Sequence, residues 1–186
     1  MDERTFGELI DQSQASLTDL NNIVEQSKVL INLLKNLPEA EIIEFEKIFT
    51  NQQAACYSWK NWAVPYLAFE GCSDDAFGSF TAWMISKGKK LFLAMLSDSS
   101  ILAAEVKKTL PSWISIGESE EFFLAPARAY NLKTGRELTD DMPDSAYDEI
   151  RTYLSNPRGE KFSDATICKL YPDVGRHFST DWLLAQ

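Results

Sequence analysis

The chain has 186 residues, a length that suits one domain, and 45% of them are hydrophobic, with 11 Phe, 6 Tyr and 5 Trp to furnish a packed core. Its 18 basic residues face 28 acidic ones, and the net charge of -10 repels phosphate backbones and anionic membrane surfaces. Nucleic acid and membrane are therefore excluded as expected partners; a basic protein partner would be attracted, although such a charge more often serves solubility alone.

Cys56, Cys72 and Cys168 are odd in number, far apart and without a CxxC pair. Neither a disulfide framework nor a zinc ribbon is expected, which suits a reducing cytoplasm. The opening MDERTFGELI is acidic where a secretory signal is positive. No apolar run approaches the roughly 18–20 residues that span a bilayer.

In chain order, Thr5 and Glu8 have capping-box spacing, which predicts a short first helix through Phe6, Leu9 and Ile10. Thr18 is placed to open a second, whose stripe of Leu20, Ile23, Val24, Leu30, Ile31, Leu34 and Leu37 ends at Pro38. Pro38, Glu39 and Glu41 start a third, carrying Ile42, Phe45, Ile48 and Phe49. Its pattern continues through Trp59 and Trp62, so it is expected to run on until Pro65 interrupts it. These two helices are expected to form an antiparallel hairpin that nucleates folding.

Ser73, Asp74 and Asp75 mark the start of a helix bearing Phe77, Phe80, Trp83, Met84 and Ile85, with Gly88 as its stop. A further helix holds Leu91, Phe92, Met95 and Leu96, and the next, capped within Ser97–Ser100, holds Leu102, Val106 and Leu110. Ser112 to Ile116 alone has strand character. Glu120 to Tyr130 reads as helix ending at Gly135, Thr139 to Pro143 as a polar turn, and Asp144 onward as helix with Tyr147, Ile150 and Tyr153. Asn156 to Gly159 reads as a turn. The expected architecture is all-α: one multi-helix bundle over residues 1–186, with seven to nine helices and no substantial sheet.

The segment FEGCSDDAFGSFTAWMISKG, Phe69 to Gly88, preceded by Trp59, Trp62 and Tyr66, concentrates the chemistry. A helix dipole at Cys72 would lower the thiol pKa and make it reactive. The plainer reading has Ser73 as the cap, Asp74 and Asp75 complementing the dipole, and Cys72 as a small apolar residue. A cysteine nucleophile needs a base, and the single histidine, His177, lies over a hundred residues away. No catalytic residues, metal or cofactor are expected. Adjacent Asp74 and Asp75 diverge by about 100° on a helix and cannot both point at one ion there. Nucleotide loops and the GxSxG elbow are absent. Trp59, Trp62 and Tyr66 share one helix face, which either lines a ligand cleft or, more simply, packs into the core.

The stretches MDERTFGELID, LPEAEIIEFEKIF, YSWKNWAVPYL and GCSDDAFGSFTAWMISKGKKLF, in this order and spacing, resemble the bacterial family known as domain of unknown function 4240. The resemblance runs from about Met1 to about Leu138, leaving 139–186 as a helical C-terminal extension. It implies a cytoplasmic bacterial protein and transfers no catalytic residue. The leading expectation is a non-enzymatic interaction or regulatory protein, immunity-type for example, that binds a basic protein partner through an acidic surface. The alternative is a ligand-binding protein or enzyme with a pocket formed by Trp59, Trp62, Tyr66, Cys72, Ser73, Asp74, Asp75 and Trp83.

Overall fold

The computed structural model of the protein describes residues 1–109 and 116–184. Among these it contains thirteen α-helices, nine of them seven residues or longer, and no strand. The long helices meet the expected seven to nine; the excess comes from single turns of four residues at chain joints. The strand-like stretch Ser112 to Ser115 lies outside the described residues, as does Leu110.

Helix α1 spans Glu3–Ala15 and is capped by Asp2, whose carboxylate accepts from Thr5 N at 2.8 Å. The expected cap at Thr5 is thus corrected: Asp2, three residues upstream, starts the helix nearly a turn earlier. Helix α2, Ile23–Lys35, is capped by Asn22 through Glu25 N at 3.0 Å rather than opening at Thr18. Asp19 instead accepts from Asn21 N at 2.9 Å and holds the preceding residues in a turn, which leaves Leu20 60% exposed.

Helix α3 covers Glu39–Cys56 and α4 covers Trp59–Ala68. The expected continuous helix is broken at Tyr57 and Ser58, not at Pro65, which sits inside α4. Ser58 caps α4 by accepting from Asn61 N at 3.2 Å. The last carbonyls of α3 find external donors: Asn61 Nδ2 bonds Cys56 O at 3.0 Å, and the Arg158 guanidinium bonds Ala54 O at 2.9 Å and also Ala55 O. Those bonds satisfy a helix end that would otherwise have continued. Arg158 also exchanges backbone bonds with Tyr57 and Trp59, a single parallel bridge set between bends at Asn156 and Gly159, where the turn is expected.

Helix α5, Asp74–Ser86, starts at Ser73, which accepts from Ala76 N at 3.3 Å. Nearly every residue from Phe77 to Ser86 is buried, so α5 is the central helix, surrounded by α3, α4, α6 (Lys89–Ser97) and α8 (Glu120–Phe123). Gly88 follows at φ +81°, where a Cβ would stand 2.8 Å from Asp11 Oδ1. Helix α7, Ser99–Thr109, packs on α4 and α6.

Helix α9, Ala125–Thr134, ends at left-handed Gly135, as expected. Its fully buried Ala125 and Ala129 permit close approach, and α9 packs against both α2 and α3. The expected α2–α3 hairpin is thereby corrected: each lays its face on α9 instead. The stretch read as a polar turn contains α10, Leu138–Asp141, and Leu138 joins Ile42, Tyr130 and Met142 in a small cluster of its own. A 3₁₀ turn, Asp144–Tyr147, leads into α11, Asp148–Ser155, which has no buried residue. Single turns α12, Ile167–Leu170, and α13, Pro172–Gly175, contribute Ile167 and Val174 to the main core, which runs from Phe6 to Val174.

Candidate functional site

The N-terminal turn of α5 is built as its residue types dictate. Ser73 caps it, exposed Asp74 and Asp75 lie against the positive end of the dipole, and Cys72 Sγ reaches Ser73 O at 3.6 Å. Burial, opposed by the Trp62 indole and reinforced by Asp74, pushes the Cys72 thiol up to about 12. The thiol pKa is raised rather than lowered, in keeping with the plainer reading of Cys72 as a small apolar residue: the dipole acts on a group largely withdrawn from water. No hydrogen bond joins Cys72 to His177 among the described residues, and the His177 ring lies instead beside Phe178, 6.4 Å between centroids. No group of three His, Cys, Asp or Glu side chains there is arranged to hold a metal.

The aromatic candidates Trp59 and Trp62 stack on each other at 5.6 Å between centroids. Trp62 is buried, stacked on Phe77 at 4.5 Å between centroids, and donates Nε1–H to Cys72 O at 3.0 Å. Trp83 is buried behind Phe80 at 5.3 Å. Trp59 and Tyr66 turn toward the C-terminal segment, where Phe162 meets them at 5.6 and 5.1 Å, Trp182 meets Tyr66 at 5.8 Å, and Lys161 Nζ lies 5.3 Å from the Trp59 ring. This segment covers the stripe. Trp59, Trp62 and Tyr66 thus pack against other rings, and none of them lines the depression that Asp74 and Asp75 border.

Asp74 and Asp75 do border a depression. It is a solvent-open groove of about 550 Å³ between α5, α8 and α11. Its rim carries Asp74, Asp75 and Glu120, and its apolar lining includes Phe123 and Leu154, 38% and 43% exposed, with Ile150 beside them. Gly78 and Tyr57 also line it, next to each other. Tyr57 is 3% exposed and packed edge-on against Phe77 at 5.1 Å. Burial, together with the nearby Asp74 and Asp75 charges, raises its hydroxyl pKa, so the phenol stays protonated.

Of the sequence candidates, only Asp74 and Asp75 reach this groove. Tyr57, Gly78, Phe123, Ile150 and Leu154 escaped notice as site residues. Gly78 carried the one available signal, a glycine inside an otherwise unbroken helical pattern, which marks a close approach or a cleft. The other residues look like ordinary apolar positions until α5, α8 and α11 are brought together.

Fold and site define an all-α protein with an open groove, apolar along its length and acidic at its rim. The chain belongs to the family described as Protein of unknown function (DUF4240), whose model matches residues 1–131. The match ends within α9, short of the expected Leu138, so the family portion supplies Tyr57, Asp74, Asp75, Gly78, Glu120 and Phe123 while α11 lies beyond it. No curated protein and no solved structure matches the chain. No helix among the described residues is long and apolar enough to cross a membrane.

Proposed function

We propose that this is a non-enzymatic interaction protein, immunity-type or regulatory, whose α5–α8–α11 groove takes a cationic, apolar-faced segment of a partner protein. The observation that carries this reading is the pairing of exposed Phe123 and Leu154 with Asp74, Asp75 and Glu120 at one groove. Exposed apolar surface framed by polar residues is a feature of docking sites, and the rim charge selects a positive occupant. The net charge of -10 steers such a partner from a distance. We place the protein in the bacterial cytoplasm, a setting that the family resemblance and three free thiols support, and read the chain as one domain.

The test is fluorescence anisotropy with a labelled helical peptide of alternating Leu and Arg faces, beside a control with Glu in place of Arg. The Leu/Arg peptide binds, salt weakens it, and the triple change Asp74→Asn, Asp75→Asn and Glu120→Gln weakens it further. Equal binding of both peptides, or no effect of the triple change, overturns the reading. The alternative, a groove for a small cationic amphiphile, rests on the same Asp74 and Asp75 placement; competition by a short alkylamine at micromolar concentration would favour it.

A further inference from the structure

Gly78 lies three and four residues beyond Asp75 and Asp74, on the same face of α5. Lacking a side chain, it leaves a notch in the groove wall. A Cβ placed there would stand 3.8 Å from the Tyr57 hydroxyl oxygen and 3.9 Å from Phe123 Cε2, so hydroxyl and ring edge both border the space. Tyr57 is more than nine-tenths buried, yet its hydroxyl has no hydrogen-bond partner among the described residues. Tyr66, Tyr130 and Tyr171 each donate theirs, to Asp164, Asp141 and the Glu160 carbonyl. Among the described residues, the buried side-chain atoms that lack a partner are Ser99 Oγ and Trp182 Nε1, so the Tyr57 hydroxyl opens onto the groove, where a ligand can supply its bond in place of water.

The surroundings define that ligand's chemistry. Two carboxylates one turn away demand positive charge, the phenol oxygen accepts N–H bonds, and Phe123, 38% exposed, offers apolar ring surface to a flat group. A guanidinium meets all three conditions at once, because its planar fork presents five donors and stacks on aromatic rings. An ammonium is a compact, strongly hydrated point charge that meets only the first two.

We propose that the notch above Gly78 is an arginine-recognition point: an arginine of the partner segment donates to the Tyr57 hydroxyl oxygen, lies against Phe123 and is neutralised by Asp74 and Asp75. This inference rests on the groove-binding reading above and names the side chain that the groove selects.

The test compares the Leu/Arg peptide with versions carrying Lys or the uncharged citrulline. Wild type prefers Arg to both. Tyr57→Phe removes only a hydroxyl that the fold leaves unbonded, so it lowers affinity for the Leu/Arg peptide about tenfold. Gly78→Ala, whose methyl makes ordinary contacts and occupies the notch, acts in the same direction and decides the matter should Tyr57→Phe not fold. If both variants bind the Leu/Arg peptide as wild type does, while the triple acidic change still weakens it, the arginine inference falls and the groove reading stands. If wild type binds none of the peptides, both fall.

Discussion

Tyr66 donates a 2.6 Å hydrogen bond to Asp164 across a sequence separation of 98 residues. The bond ties α4, inside the family-matched portion, to the segment beyond it, at the same place where Phe162 and Trp182 cover the tyrosine ring. Tyr66→Phe keeps the ring contacts and removes the bond, so a loss of about 1 kcal/mol is expected at pH 8. The bond, with burial and the Asp164 charge, pushes the Tyr66 hydroxyl pKa up to about 12 from the ordinary 10. The folded state therefore holds that proton more tightly, and the added stability is complete below pH 10 and lost between pH 10 and about 12. Denaturant unfolding curves of wild type and Tyr66→Phe should differ at pH 8 and converge toward pH 12; identical curves at pH 8 refute the role.

Glu46 acts at lower pH. It retains some solvent contact on α3, yet the protein closes around its carboxyl, and burial, only partly offset by the Thr50 hydroxyl at 3.5 Å, raises its pKa to about 8 from 4.5. Its charge also raises the Tyr147 hydroxyl on the 3₁₀ turn, after burial of that ring itself. A raised folded-state pKa means that the native protein binds the extra proton, so stability falls as pH rises from about 4.5 to about 8. Glu46→Gln should flatten this fall and raise the melting temperature at pH 8 more than at pH 5. A variant with the wild-type pH profile would remove Glu46 as its source.

The start of α5 carries structural and binding roles on different atoms. Ser73→Ala removes the cap on Ala76 N and should cost about 1 kcal/mol. Asp74→Asn and Asp75→Asn weaken the dipole interaction and should each cost about 0.3–1 kcal/mol, chiefly at low salt. Peptide binding separates the roles, because Ser73→Ala leaves the rim charge intact and should spare it. Loss of binding in Ser73→Ala equal to that in the Asn variants would mean that binding follows helix integrity.

Two glycines predict opposite signs of change. Gly88→Ala forces a left-handed backbone and presses a methyl toward Asp11 Oδ1 at 2.8 Å, so a loss of about 1–2 kcal/mol is expected. Gly78→Ala sits in a helix interior with neighbours at 3.8 Å or beyond, and should gain about 0.5–1 kcal/mol. Urea midpoints measure both. A destabilised Gly78→Ala would show that the notch is filled space and not a groove wall.

Local signals alone determined the helical class, the Ser73 cap with its two aspartates, and the stops at Gly88 and Gly135. Each depends on residues within about one turn of one another, where side-chain oxygens meet free backbone N–H groups or a glycine relieves backbone strain. The family signature at Gly71 to Gly88 was legible for the same reason, as a helix start followed by an apolar run. Tertiary structure decided what happened at longer range. The break between α3 and α4 depends on Arg158, more than a hundred residues away, donating to the Ala54 carbonyl. The packing of α2 and α3 against α9 joins segments far apart in sequence. The groove exists only because α5, α8 and α11 converge, leaving Tyr57 buried with its hydroxyl unbonded beside Gly78. Periodicity records which residues seek the interior, but not which helix will cover them, and so Trp59 and Tyr66 read as pocket candidates until Phe162 and Trp182 were found packed over them.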